Sequence, residues 1–323
     1  MRILVTGGSG FIGTNLVAFL TSRGCDVLNL DIAPPRIESL AAWERVDVAD
    51  YHKVEQAARA FSPTHLVHLA ALATFDASMT ELTQRNVDVT ANILNLALKR
   101  GTVERLILTS TQYVNGPGSP FDEDRSFHPV NDYGRSKMAM ELLAREPRFA
   151  QLPWIIVRPT NIWGPHHVHF ATEMWRFIKH GLYLHPAGDP VLRAYGYVEN
   201  VARQAHILLT APTPMVLHKV FYLTDPVIDS YELLNAFSLA LAGRKLHRVP
   251  RRLMQGLARA GDALKRIRIA APFHSERYHR MTANHAARFE PLWGQFDYQA
   301  IAMEEGVART VSWLTDAYPR LYA

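Results

Sequence analysis

The sequence has 323 residues, a hydrophobic fraction of 48% and a formal net charge of +5 at pH 7. This length exceeds that of one compact core, so we expect a large domain and a smaller one. The composition excludes a disordered or repetitive chain, and the single cysteine, Cys25, excludes an internal disulfide. Met1 leads directly into an apolar segment, and no later stretch is apolar for about 18 residues. We therefore expect a cytoplasmic protein.

The first half of the chain alternates short apolar runs, rich in β-branched residues, with longer segments of helical periodicity. This pattern is typical of βαβ units on a parallel sheet. The strand candidates cover residues 3–6, 27–31, 65–69, 105–109 and 154–157. The helix candidates begin near Phe11, Tyr51, Glu81 and Asp132, and the last one ends before Pro147 because proline removes an amide donor. We predict an α/β fold with a doubly wound parallel Rossmann sheet.

The regularity weakens past Pro159, where loops, a helix near 199–209 and a strand near 220–223 precede a mainly helical remainder. We predict that at least one strand and one helix of this half return to the sheet. The domains would then be discontinuous. The sheet domain would comprise 1–160 and about 196–224, and a smaller, mainly helical substrate-binding domain would comprise 161–195 and about 225–323.

A glycine-rich segment follows the first strand and opens the first helix, with glycines at Gly7, Gly10 and Gly13. One glycine allows a tight turn, one lets the backbone approach a pyrophosphate at the helix N-terminus, and one permits close helix packing. Asp31 closes the second strand, where a carboxylate accepts hydrogen bonds from the adenosine ribose and repels a 2′-phosphate. No arginine directly follows it, since Arg36 comes only after residues 32–35. The pattern predicts NAD as the cofactor.

Tyr133 and Lys137 lie four residues apart and therefore on one face of the helix that begins near Asp132. A free phenol has a pKa of about 10, and a cation one turn away favours the phenolate, which brings the pKa towards useful acid/base strength. The alternative is an ordinary surface pair. Residues 109–111, Thr-Ser-Thr, end a strand at the ligand-binding edge of the sheet, where a hydroxyl could bind a substrate oxygen or only cap local backbone.

These motifs together resemble the NAD-dependent epimerase/dehydratase family, the extended short-chain dehydrogenases. The resemblance covers the first half of the chain in order and continues more loosely through 193–201 to Leu314. The residues that carry it are Gly7, Gly10, Gly13, Asp31, Asp47-Val48, 68–71, Asn86, 109–111, Tyr133, Lys137 and 158–165.

The resemblance implies roles for individual residues. Thr111, Tyr133 and Lys137 would be catalytic, and Thr111, Gln112, Asn161 and Arg193 would contact the substrate. In the family's mechanism, the tyrosine removes a hydroxyl proton while hydride passes to the nicotinamide, which gives a transient ketone. The implied cofactor-binding residues are Gly7, Gly10, Phe11, Ile12, Gly13, Asp31, Asp47, Val48, Leu69, Ala70, Ala71, Asn86, Thr109, Tyr133, Lys137 and Pro159.

The two residues after Thr111 differ from those found in two groups of the family. Its 4,6-dehydratases carry an Asp-Glu pair there and its decarboxylases a glutamate, whereas this sequence has Gln112-Tyr113. An amide cannot exchange a proton and is a poor eliminating base. We therefore predict an NAD-dependent nucleotide-sugar 4-epimerase. The alternatives are a nucleotide-sugar reductase and a dehydrogenase of a lipid or steroid-like alcohol, similar to the 3β-hydroxysteroid dehydrogenases.

Arg193 discriminates between a sugar nucleotide and a steroid, because a pyrophosphate calls for arginine and a steroid does not. Two further departures affect the predicted sugar pocket: Asn115 and Ala194 replace the tyrosine and aspartate that are usual in the family. A non-catalytic NAD-binding regulator is disfavoured, because the set of Thr111, Tyr133 and Lys137 is intact.

A basic segment covers 244–268, and leucines near helical spacing make 251–269 a candidate amphipathic helix at a membrane surface. The alternative is a solvated face of a packed helix. We expect no nucleic-acid partner, because no aromatic residues are interspersed among the basic residues of this segment. The histidine cluster at 166–169 is predicted to serve a loop or pocket rather than a metal. The family resemblance further implies a homodimer.

Overall fold

The computed structural model describes residues 1–38, 40–119, 124–267, 269 and 273–322. The chain forms two compact units. The first comprises Met1–His166, Gly196–Asp225 and Ala287–Ile301, and the second comprises His167–Tyr195, Pro226–Ala286 and Ala302–Ala323. These bounds differ from the predicted ones chiefly in Ala287–Ile301, which belongs to the first unit because Leu292 and Trp293 are buried in its core.

Within the described residues, the first unit is built on a seven-stranded sheet in which all paired strands are parallel. The strands are β1 (Arg2–Thr6), β2 (Asp26–Asp31), β3 (Ala42–Arg45), β4 (His65–His68), β5 (Arg105–Thr109), β6 (Trp154–Pro159) and β7 (Val220–Leu223). Their order is β7-β6-β5-β4-β1-β2-β3, so the predicted doubly wound sheet is confirmed. The connections change direction between β1 and β4, which is where ligands bind in such sheets.

Helices follow the strands, as the alternating pattern predicts. They are α1 (Phe11–Ser22), α2 (Tyr51–Phe61), α3 (Met79–Leu82), α4 (Val89–Arg100) and α5 (Asp132–Ala144), with a π-helical turn at Thr83–Asp88 between α3 and α4. The remaining elements of this unit are helices Val198–Thr210 and Thr213–Val216, short strands Asn161–Trp163 and Tyr195–Tyr197, and 3₁₀ turns Gln112–Val114, Pro147–Phe149 and Pro291–Gln295.

Successive strand residues point to opposite faces of the sheet and are buried on both. On one face, Ile3 and Val5 pack with residues of α1 and of helix Val198–Thr210. On the other, Leu4 packs with residues of α2, α4 and α5. This double burial explains why the strands read as continuous apolar runs. The sequence pattern missed β3, an edge strand whose residues are all exposed or only partly buried.

The second unit is mainly helical, as predicted. Its helices are Trp175–Lys179, which follows a π-helical turn at Phe170–Met174, and Ser230–Ala242, Arg251–Arg266, Ser275–Thr282, Met303–Ala317 and Pro319–Tyr322. Two short strand pairs join His185–Pro186 to Arg248–Val249 and Leu192–Arg193 to Ile228–Asp229. The Trp175 and Phe237 rings stack at 3.7 Å in its interior. Over the residues that the structure describes, no helix is long and apolar enough to cross a membrane.

A buried ion pair ties α5 to the sheet. The carboxylate of Glu141 on α5 is fully buried and accepts hydrogen bonds of 2.9 Å from both Nε and Nη2 of Arg158 on β6. Arg158 is itself only 1% exposed. The same carboxylate accepts a hydrogen bond from the hydroxyl of Ser110, the residue after β5. The orientation of α5 is therefore set at the carboxyl ends of two strands.

We predict that Arg158→Met lowers the free energy of unfolding by up to about 3–5 kcal/mol, because the buried Glu141 carboxylate loses two hydrogen bonds and keeps those from Arg145 and Ser110. The double variant Glu141→Met/Arg158→Met removes both charges and is expected to recover much of that loss. Urea unfolding followed by tryptophan fluorescence measures both. If the single and double variants are equally destabilised, the charge pair is not what stabilises this contact.

Candidate active site

The glycine-rich loop closes tightly on its surroundings. Gly7 has φ +74°, and a Cβ there would lie 2.6 Å from the backbone nitrogen of Ala70. A Cβ on Gly13 would lie 2.2 Å from the Gly7 carbonyl oxygen. Side chains at these positions would separate the loop from the end of β4 and from α1. The glycines therefore let the backbone form a cradle at the N-terminus of α1, as the motif predicts.

A cavity of about 560 Å³ lies along this cradle in the first unit. Its wall includes the following predicted cofactor residues: Gly7, Gly10, Asp31, Asp47, Val48, Leu69, Ala70 and Ala71. Sequence reasoning missed Ser9, Arg36 and Arg85 on the same wall. Two hydrogen bonds hold the pKa of the Asp47 carboxyl below its usual range. The bond from the Ala49 backbone amide has the larger effect, and the bond from the Arg85 guanidinium has the smaller one.

Asp31 is held in place by two backbone amides. Its carboxylate accepts hydrogen bonds from Ser9 N at 2.9 Å and Ala33 N at 3.0 Å. A cation does lie nearby, contrary to the expectation from the residues directly after Asp31. Arg36 reaches back to the same wall and donates to the carbonyl oxygens of Ser9 at 2.9 Å and His166 at 3.0 Å. The sequence gives no sign of these contacts, because Ser9 and His166 are both far from Arg36 along the chain.

The three predicted catalytic residues come together around α5. The Thr111 hydroxyl forms a hydrogen bond with the Tyr133 phenol. The ammonium of Lys137, which is 3% exposed, donates to the Thr109 carbonyl oxygen at 2.8 Å. Asn131 caps the helix by accepting a hydrogen bond from Gly134 N at 2.7 Å. The arrangement therefore presents a phenol, a hydroxyl and a buried cation at the ligand-binding edge of the sheet.

Burial shifts both titratable groups away from their charged forms. It raises the pKa of Tyr133 to about 12, and the hydrogen bond from Thr111 opposes this only in part. It lowers the pKa of Lys137 to about 8, against the attraction of the Glu141 carboxylate. We expected Lys137 to bring the pKa of the phenol below its usual value, but burial is the largest influence on this phenol and raises its pKa.

Gly134 sets the distance between α5 and the turn that follows Thr111. A Cβ at this position would lie 2.2 Å from the Tyr113 carbonyl oxygen, so any larger residue would push the helix away. A glycine inside a helix was the available sequence signal. Phe75, which sequence reasoning also missed, covers the site with its ring 6.0 Å from the Tyr133 ring and 5.2 Å from the Tyr113 ring.

Other predicted cofactor residues lie behind the cavity wall. Asn86 is fully buried, and its amide bonds to both backbone polar atoms of Leu72 and donates to the Ser136 hydroxyl at 2.9 Å. It thereby ties the loop after β4 to α5. Phe11 and Gly13 lie in the first turn of α1. Ile12, Leu69, Thr109 and Pro159 surround a much smaller apolar cavity.

Gln112 follows Thr111 and is fully buried. Neither its amide nitrogen nor its amide oxygen has a hydrogen-bond partner among the described residues. Such a group costs about 1–3 kcal/mol unless something satisfies it. Asn115, also fully buried, accepts a hydrogen bond from His128 N at 3.0 Å and so supports the loop fold. Asn161 begins the short strand after β6.

The second unit has its own cavity of about 370 Å³, and three arginines line it: Arg193, Arg277 and Arg280. Only Arg193 was predicted. Its guanidinium donates to the carbonyl oxygens of Arg280 and Ala283, so it also closes the end of helix Ser275–Thr282. Tyr183, Tyr195 and Ser230 add polar groups to the wall. One carboxylate, that of Glu173, also lies on the wall, so the three arginines leave an excess of positive charge that favours an anion.

The predicted histidine cluster is split by the fold. His166 accepts from Arg36 through its carbonyl oxygen, the His167 ring stacks on Phe170 at 3.9 Å, and His169 lines the arginine-rich cavity. Within the described ranges, no three side chains of the metal-binding types gather.

Comparison with known proteins points to one family. A family model described as NAD dependent epimerase/dehydratase matches residues 3–222. A protein named probable dTDP-glucose 4,6-dehydratase from Sinorhizobium fredii is 33% identical over 52% of this chain and 55% of its own length. A 4-hydroxy-2-methyl-3-oxo-4-farnesyl-3,4-dihydroquinoline-1-oxide ketoreductase from Stigmatella aurantiaca is 27% identical over 70% of this chain and 68% of its own. The match thus spans about half the length of the first of these relatives.

Among solved structures, the UDP-glucose 4-epimerase of Thermus thermophilus, in complex with NAD, is similar over 98% of this chain and 100% of that one. The TM-score is 0.71 and the identity 25%. The residues described above fit NAD: the glycine cradle leaves backbone amides free of side chains, and Asp31 stands where the adenosine ribose would bind.

We predict that Asp31→Ala weakens NAD binding about 10- to 100-fold, because hydrogen bonds to a charged acceptor are lost. NADP binding should improve relative to NAD, since the repulsion of a 2′-phosphate disappears and Arg36 remains on the wall. Calorimetric titration of both cofactors measures this, with Asp26→Ala, an exposed carboxylate at the other end of β2, as the matched control. Equal affinity of the unmodified protein for NAD and NADP would refute the assignment.

We predict that Lys137→Met is more stable than the unmodified protein at pH 7. The pKa of Lys137 is lower in the folded protein, about 8, than in the unfolded chain, about 10.4. The unfolded state therefore binds more protons between these values, and the stability of the unmodified protein rises with pH there. The advantage of Lys137→Met should shrink across that window in thermal melts, with Lys53→Met, at an exposed lysine, as the matched control. A constant difference would contradict the assigned pKa.

Proposed function

Because the chain belongs to the NAD-dependent epimerase/dehydratase family, we propose that it is a nucleotide-sugar 4-epimerase that works through a transient ketone. The observation that carries this choice within the family is the buried amide of Gln112 beside Thr111. Eliminating a hydroxyl group requires a proton donor and a base, and an amide is neither. An amide does bind a sugar hydroxyl well, and such a contact would satisfy its unpaired nitrogen and oxygen.

In this proposal, Tyr133 in its ionised, phenolate form takes the proton of one ring hydroxyl and becomes the neutral phenol, and Thr111 aligns that hydroxyl with the phenolate oxygen. NAD, when bound, would accept a hydride from the same ring carbon and later return it. Between the two hydride transfers, the ketone would rotate so that its opposite face is reduced. Tyr133 would then return the proton to the sugar oxygen. The raised pKa of Tyr133 has a consequence for the rate: kcat/KM should increase with pH as the phenol ionises.

The second unit, taken by itself, carries a group of arginines of the kind that binds phosphate groups. Arg193, Arg277 and Arg280 line one cavity, and a guanidinium binds a diphosphate with two parallel hydrogen bonds. Arg193 uses one terminal nitrogen on carbonyl oxygens, which leaves other N–H groups for an anion. We also expect the protein to be cytoplasmic and to form a homodimer.

A dehydrogenase of a lipid or steroid-like alcohol is the second candidate. Exposed leucines on helix Arg251–Arg266 favour it, and so does the farnesyl group in the name of the ketoreductase relative. Such an enzyme would consume the reduced or oxidised cofactor in proportion to product. A nucleotide-sugar reductase would do the same. An epimerase recycles its cofactor, so net production or consumption of NADH distinguishes a dehydrogenase or reductase from an epimerase.

The test is to incubate the protein and NAD with UDP-, GDP- and dTDP-sugars and to identify the products by chromatography. We expect one 4-epimer to form without net production of NADH. Tyr133→Phe should lower turnover by about 10²–10⁴-fold while NAD binding persists, and Tyr51→Phe, at the start of α2, is the matched control.

Two results would overturn the assignment. Near-normal turnover in Tyr133→Phe would remove the proposed acid/base group. No binding of UDP, GDP or dTDP, together with NAD-dependent oxidation of a steroid or lipid alcohol, would establish the second candidate instead.

A further inference from the structure

Helix Arg251–Arg266 packs against its own unit through a narrow strip made of one methionine and two small residues. Met254, Ala258 and Gly261 are its buried positions, spaced along one face. A Cβ on Gly261 would lie 1.9 Å from the Phe273 carbonyl oxygen, so backbone presses directly on this strip. The docking face of the helix is therefore occupied, and the rest of its circumference is turned outward.

The largest apolar side chains of the helix lie on its outward side. Leu253, Leu257 and Leu264 are 58%, 46% and 40% exposed, and their spacing of four and seven residues places them in one stripe. Ile267, just past the last turn, is 66% exposed and extends the apolar surface. The buried positions of the helix lie on the other strip, so these side chains leave a large part of their apolar surface in water.

A second stripe on the helix is cationic. Arg252, Arg259 and Arg266 recur every seven residues, are exposed, and lie about a third of a turn from the leucines. Small residues, Gly256 and Ala260 among them, lie between the two stripes, so both can meet one flat surface. The helix carries five basic residues and one acidic residue. That acidic residue, Asp262, is bonded to the backbone amide and hydroxyl of Ser275.

We propose that the leucine and arginine stripes of helix Arg251–Arg266 bind the surface of a membrane that contains anionic lipids, with the helix axis in the membrane plane. The leucines enter the boundary between headgroups and acyl chains, and the arginines bind lipid phosphates. Charge complementarity selects this occupant over a second copy of the chain, which would bring an equally cationic helix. Arg268, the last basic residue of the predicted segment, lies outside the described residues.

The test is co-sedimentation of the full-length protein with vesicles of phosphatidylcholine alone or mixed with phosphatidylglycerol. We expect binding to the mixed vesicles, at least about tenfold weaker binding to the neutral ones, and loss of binding as salt rises. The triple variant Arg252→Gln/Arg259→Gln/Arg266→Gln should weaken binding about 100-fold. The matched control is Arg45→Gln/Arg59→Gln/Arg148→Gln, which removes the same charge from exposed positions of the first unit.

A second variant, Leu253→Ser/Leu257→Ser/Leu264→Ser, should abolish binding even at low salt while its thermal melt stays cooperative. Equal binding by the two arginine triples would show that only net charge matters and would overturn the proposal. Failure of the unmodified protein to bind mixed vesicles would do so as well. Concentration-dependent self-association that the leucine variant removes, without vesicle binding, would assign the face to a second copy of the chain.

Discussion

The buried pairing of Glu141 with Arg158 is the contact on which the active site depends. Tyr133, Lys137 and Glu141 recur every four residues on α5, so the face that buries the carboxylate in the sheet also presents the phenol and the ammonium. Ser110 donates to Glu141, and the next residue, Thr111, reaches Tyr133. One electrostatic anchor thus holds the helix and the strand end against each other, and it thereby holds Tyr133, the proposed acid/base group, beside Thr111.

The polar groups of the candidate site are buried at a cost in the free energy of folding. Lys137 is almost fully buried and its pKa is depressed, because its ammonium has lost water and gains only a carbonyl partner and the nearby Glu141 carboxylate in return. Gln112 has a buried amide without a hydrogen-bond partner in the part of the chain that the structure describes. Polar groups that a fold leaves incompletely satisfied at the ligand edge of a sheet are characteristic of sites whose ligand completes the bonding.

The fold and the cofactor cradle were predictable because their signals are local. A parallel strand buried on both faces reads as an apolar run; the glycine loop directly follows one such run and Asp31 ends another. Tyr133 and Lys137 are one helical turn apart on α5, which is also a local signal. The features that sequence reasoning missed depend on contacts between distant residues or on weak patterns. Examples are the half-exposed edge strand Ala42–Arg45, the return of Ala287–Ile301 to the first unit, and Arg36 on the cofactor wall. The pKa of Tyr133 was misjudged because spacing reveals a neighbouring cation but not the extent of burial.

In the mechanism we propose, one site oxidises a sugar carbon and then reduces the same carbon. The most direct measurement uses a nucleotide sugar with deuterium on the carbon that is inverted, incubated with the protein and NAD, and follows the label by mass spectrometry and NMR. We expect the 4-epimer to retain deuterium at that carbon, and no deuterium to appear in NADH released to solution. Accumulation of labelled NADH together with a stable keto product, or loss of the label without inversion, would contradict it.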